Sequence, residues 1–153
     1  MKLSIKVLLF ILIFIWSSGI FIEFVIEYIP VSVYLFPWIK KTYSLVCHQE
    51  SYKLIELNGL HTMVCARCSG IYIGALLSSF IALFISLKER LGIHILLIAM
   101  IPMVLDVIFY TAGLYSYSKS AAFITGFLLG SAGFFYLYYG LENIYYELKT
   151  NRK

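Results

Sequence analysis

Apolar residues run along this chain in long blocks, not in the short alternation of a helix or strand with one wet face. Four blocks reach the ~20 helical residues that a hydrocarbon core of ~30 Å requires: residues 7–28, 69–87, 91–115 and 121–140. In lipid every backbone polar group must find its partner within the span, so blocks of this length predict helices. Between the first two lies the one sustained polar stretch, beginning at Thr42 and carrying the turn signal Asn58-Gly59. Together with the cysteine motifs beside it, this stretch is read as a loop over residues 42–68. Lys88-Glu89-Arg90 predicts a tight turn between spans two and three, and Ser116 to Ser120 a short one between spans three and four.

Composition agrees, since hydrophobic residues make up 61% and charged residues 13%, unlike an ordinary soluble domain. The expectation is a single membrane domain over 1–153, an all-α four-helix transmembrane bundle with a Cys/His loop at its outer end. Lys2 and Lys6 before an apolar run also describe a signal peptide, with Ser17-Ser18-Gly19 a poor cleavage site. The apolar character continues past what a signal core needs, which favours a retained anchor. Lys and Arg asymmetry sets orientation. With Lys2, Lys6, Lys88, Arg90, Lys149, Arg152 and Lys153 on one side and Lys40, Lys41, Lys53, Arg67 and Lys119 on the other, both termini are expected in the cytoplasm. The formal charge of +4 is accounted for by these flanking residues, and no basic run suggests nucleic acid.

Residues 31–41 are aromatic, are interrupted by Pro37 and end in Lys40-Lys41, which suits the headgroup level. Tyr136, Tyr138, Tyr139, Tyr145 and Tyr146 read as a belt at the opposite headgroups. Gly70/Gly74 and Gly126/Gly130 are GxxxG pairs, which let helix backbones approach closely where lipid offers no hydrophobic drive. They are read as packing, not as a site.

Chemistry is confined to the loop. All three cysteines lie there, in Cys47-His48-Gln49 and Cys65-Ala66-Arg67-Cys68, with two of the three histidines. Structural zinc takes four Cys or His ligands in a tetrahedron, and short CxxC spacing turns two sulfurs to one centre. Cys47, Cys65 and Cys68 with His48 make such a set for zinc or another transition metal. His61, four residues before Cys65, is an equally good geometric candidate. A CxxC at a helix N-terminus with Arg67 between its cysteines also suits redox thiols, and one structural disulfide with a spare thiol is the plainest alternative.

Asp106 lies about two thirds along the third span, at the depth of the cysteines. An ionisable group within a span is costly and so points to function. It can ligate a metal, pair with Arg67 or carry a proton; an Asp–Arg or Asp–Tyr bond that only holds helices together is the plainer account. Pro102, four residues earlier, removes a helix hydrogen bond. Glu23 and Glu27 share a helix face near the same end, and His94 reads as interfacial.

Cys47-His48-Gln49 followed by Cys65-Ala66-Arg67-Cys68-Ser69-Gly70-Ile71-Tyr72-Ile73-Gly74 resembles the bacterial and archaeal membrane family catalogued as domain of unknown function 2085. The family's pattern is C-H-Q, a fixed gap, then C-x-R-C-x-G-I-Y-x-G and a later acid, matched here by Asp106. The resemblance covers about residues 47–130 and favours His48 over His61 as the functional histidine. Two positions depart from the pattern: Lys53 and Ala122 stand where the family tends to carry Arg. The resemblance implies an architecture and a site, not a reaction.

The leading expectation is a multi-pass cell-membrane protein with a zinc-type site of Cys47, His48, Cys65 and Cys68. Asp106 and Arg67 stand behind the ligands as groups that orient them or a substrate, and are the candidates for any catalytic part. An ion with an open position would activate water against a lipid-borne substrate. The bilayer is the expected partner, with a lipid-borne or membrane-protein partner beyond it. A membrane thiol–disulfide oxidoreductase using Cys65 and Cys68, and a structural or accessory subunit, are the alternatives.

Overall fold

The structure, a computed structural model, describes residues 3–26, 29, 33–85 and 92–150. Among these residues, four helices are long and apolar enough to cross a membrane. The first span, Leu3–Ile26, is built from α1 (Leu3–Ser18), one 3-10 turn at Gly19–Phe21 and α2 (Ile22–Ile26). It starts four residues earlier than the apolar block because Lys6 is not an aqueous flank. Lys6 is buried, and its ammonium donates to the carbonyls of Ala82 (3.0 Å) and Ile85 (3.1 Å). A cation at the C-terminal carbonyls of a helix satisfies orphan acceptors and complements the dipole. The predicted end of this block, with Glu27, lies outside the described residues, as does the Lys88-Glu89-Arg90 turn.

The loop expected over 42–68 is largely regular structure. A helix α3 (Phe36–Ser44) leads in, with Pro37 in its first turn, where a missing N–H costs nothing. A 3-10 turn at Ser51–Lys53 follows, then an antiparallel hairpin of β1 (Leu54–Leu57) and β2 (Leu60–Cys65). Asn58 and Gly59 both take positive φ (54° and 80°), the two left-handed positions of a type I′ hairpin turn. The register slips between Leu54 and Glu56, and there the hydroxyl of the buried Thr62 accepts from the Ile55 N–H (3.1 Å) and donates to the Val64 carbonyl (2.8 Å).

Cys65 is the N-cap of α4 (Ala66–Phe84), so the second span begins three residues before the predicted block and contains Cys68 in its first turn. The third, α5 (Ile93–Thr111), carries Pro102 inside it and ends four residues earlier than predicted. Gly113, at φ 71°, stops it: the Leu114 N–H bonds the Phe109 carbonyl and the Gly113 N–H that of Tyr110, the paired bonds of a Schellman cap. The fourth, α6 (Lys119–Thr150), has 32 residues and so runs about 48 Å, well beyond the hydrocarbon core. Its start at Lys119 shortens the predicted 116–120 turn.

The spans pack in the order α1, α4, α6, α5. The α4–α6 seam is where the two GxxxG pairs meet each other. A methyl group added at Gly70 or Gly74 would overlap the Phe123 or Phe127 carbonyl, and one at Gly126 or Gly130 the Arg67 or Ile71 carbonyl. At the hairpin end a core of Ile20, Ile22, Tyr43, Met63 and Val64 forms around Cys47. At the other end Ala82, Phe134 and Tyr138 form a second. Tyr138 is therefore a core residue and not part of a headgroup belt.

Candidate metal centre

The three sulfurs are brought together from two directions. Cys65 and Cys68 come from the junction of β2 and α4, and Cys47 from the segment after α3. That segment is held by its neighbour Gln49, which takes positive φ (50°), uncommon for a residue with a side chain. The Gln49 amide donates to the Met63 carbonyl (2.8 Å) on β2, and this bond turns the chain back toward the CxxC. The Cys65 N–H then donates to the Cys47 sulfur (3.2 Å).

All three sulfurs lie within 4.8 Å of one another, Cys47 buried and the other two half-buried. All three cysteines are free thiols. A tetrahedral ion with Zn–S bonds of ~2.3 Å sets its sulfurs ~3.8 Å apart, so side-chain adjustments of under an ångström close the set around one ion. The electrostatics run the same way. Hydrogen bonds from the Cys65 and Cys68 thiols hold Cys47 well below the usual thiol range, whereas the bond to Cys47 pushes Cys65 up. A bound cation would favour the ionised form of all three sulfurs.

His48 lines the cavity that the sulfurs open into, about 340 Å³ in volume, together with Gln49, Glu50, Lys53 and Arg67. The clustered donor atoms are the sulfurs, and the His48 imidazole stands beside them, not among them. His61 faces away, its Nε2 3.8 Å from Glu56 and its ring in a separate cavity with Glu23 and Lys40. Glu23 accepts the His61 backbone N–H (2.6 Å) and so ties the hairpin to α2. His94 is exposed at the start of α5.

Asp106, the one buried residue of α5, pairs with Arg67. Its other oxygen accepts from the Tyr115 hydroxyl, which the Gly113 turn folds back over the helix end. The Arg67 Nε is buried without an acceptor, as is the Tyr117 hydroxyl. What the Gln49, Tyr115 and Tyr117 side chains contact was not read from the sequence. For Gln49 the signal was available, because it completes the Cys-His-Gln motif; for the tyrosines it was not.

The family described as predicted membrane protein (DUF2085) matches residues 47–136, from Cys47 through Arg67 and Asp106 into α6. An uncharacterised protein of Methanocaldococcus jannaschii is 39% identical over 98 residues, 62% of this chain and 63% of that one, so the chain spans less than two thirds of that relative's length. No solved structure matches. The family match covers more than half of the chain and includes both cysteine motifs and the buried acid, and the protein belongs to this family of predicted membrane proteins.

Proposed function

We propose that this membrane protein binds one transition-metal ion, zinc foremost, through Cys47, Cys65 and Cys68. The observation that carries the reading is the convergence of three free sulfurs within 4.8 Å, at a helix N-terminus and beside a cavity. His48 is the protein's own candidate for the fourth position, because its imidazole borders that cavity. Asp106 and Arg67 act behind the ligands: the carboxylate fixes the guanidinium, which in turn holds the start of α4. Both termini are assigned to the cytoplasm and the cluster to the outer membrane–water boundary, on the Lys and Arg asymmetry.

The test is metal content per chain after purification in detergent under reducing, chelator-free conditions, beside Cys68→Ser. About one ion per chain, lost in the variant, is expected. Metal absent from both samples contradicts the reading. A second reading rests on the same three free sulfurs, with the Cys65 N–H donating to the Cys47 sulfur (3.2 Å) at the start of α4. There the three cysteines exchange disulfides with a partner. Mixed disulfides trapped in a single-cysteine variant, with no metal in the wild type, would favour it.

A further inference from the structure

Two tyrosines stand four residues from a cysteine of the cluster. Tyr43 precedes Cys47, and its carbonyl accepts the Cys47 N–H at 2.9 Å. Tyr72 follows Cys68 by one turn of α4. Both reach the same turn of the first span. The Trp16 ring centre is 5.1 Å from that of Tyr43 and 6.2 Å from that of Tyr72. The Tyr43 hydroxyl donates to the Trp16 carbonyl, and the Ser17 hydroxyl donates to the Tyr72 carbonyl at 3.5 Å. Burial pushes the pKa of Tyr43 up to about 12, so its hydroxyl stays a donor.

Gly19 leaves the room in which the Tyr43 ring sits. A methyl group there would lie 2.7 Å from the Tyr43 hydroxyl oxygen and 3.2 Å from its ring, whereas ordinary contact begins at 3.4 Å. Tyr43 is 3% exposed and packed with Ile20, Met63 and Val64. In so dense a core it gives way only by carrying its backbone, and Cys47 with it. Metal–sulfur distances tolerate only ~0.2 Å, less than that displacement. We propose that the turn at residues 16–19 is a positioning element of the metal centre: by seating Tyr43 and Tyr72 it sets the distance from Cys47 to the Cys65–Cys68 pair. What the distance serves rests on the metal reading, but the distance itself is measurable without metal.

The test reads that distance in two ways on the purified full chain, reduced and stripped with chelator. In a Cys68→Ser background, a short bifunctional alkylating reagent joins Cys47 to Cys65. With all three cysteines present, cobalt(II) reports its sulfur ligands through their charge-transfer absorption. Gly19→Ala should slow the cross-link about tenfold and weaken cobalt binding by a similar factor, as expected of overpacking beside a fixed site. Gly19→Ala with Tyr43→Phe removes the atom that the methyl meets first, and should return both readings to within about threefold of Tyr43→Phe alone. Lys6→Met loosens the far end of the same span, and should lower the unfolding midpoint without changing the cross-link rate. A wild-type cross-link rate in Gly19→Ala would overturn the inference. So would an equal loss in Lys6→Met, or no recovery in the double variant. A wild-type chain that takes up no cobalt, with the cross-link rates as expected, would sink the metal reading and leave the positioning of the sulfurs standing.

Discussion

Arg67 brings a full charge into the first turn of a membrane-spanning helix, and Asp106 and Tyr115 make that tolerable. Arg67 pairs with Asp106, whose second oxygen is taken by Tyr115, so the buried carboxylate is satisfied on both sides. Removing one partner of such a pair leaves an uncompensated charge and costs about 3–5 kcal/mol, whereas replacing both with apolar groups is close to neutral. Asp106→Asn should therefore lower the unfolding free energy by about 3 kcal/mol, and Arg67→Met with Asp106→Leu should recover most of it. Unfolding of the purified variants in detergent measures both; an Asp106→Asn chain as stable as wild type would contradict the pairing account. The depth of Asp106 was legible in the sequence, and pairing with Arg67 was one of the roles it suggested. Tyr115 was not legible as a partner, because its placement depends on the Schellman turn at Gly113, which reverses the chain outside the apolar pattern. The family pattern pointed to His48 over His61, but the reason was not legible, since it follows from strand register: His61 sits opposite Glu56 and away from the sulfurs.

Among the elements, the α4–α6 seam carries the closest helix contact, and it is made by glycines on both sides. Gly126→Ala should separate the helices and destabilise the fold by about 1–3 kcal/mol, the usual cost of overpacking. Gly133→Ala, on the same helix with open space around its Cα, should be neutral or stabilising by up to about 1 kcal/mol. If the two substitutions have equal effects, the seam is not where the structure places it. The spans and the GxxxG pairs were readable because membrane helices are written in long apolar runs and small-residue spacing. The β-hairpin was not, although Asn58-Gly59 is the strongest short-range hairpin signal, because the polar character of the stretch suggested loop. Helix α3 was missed for a similar reason: Pro37 read as an interruption, whereas at the first helical turn proline is a start signal. Lys6 was read as a flank and caps α4 instead, which is why the first span begins early.

For the whole molecule, the bundle places every thiol at one end, at the junction of hairpin and α4. The orientation proposed from the basic residues predicts that a membrane-impermeant thiol reagent reaches that end in intact cells, while a tag after Lys153 is protected from added protease. A protected cluster with an accessible tag would invert the assignment. If the hairpin and the Cys-His-Gln turn set three sulfurs around one ion, X-ray absorption at the metal edge of the protein as purified reads that shell. About three sulfur neighbours at ~2.3 Å, with one lighter nitrogen or oxygen neighbour, is the predicted shell. A shell of nitrogen and oxygen alone, or a chain that carries no metal, would contradict it.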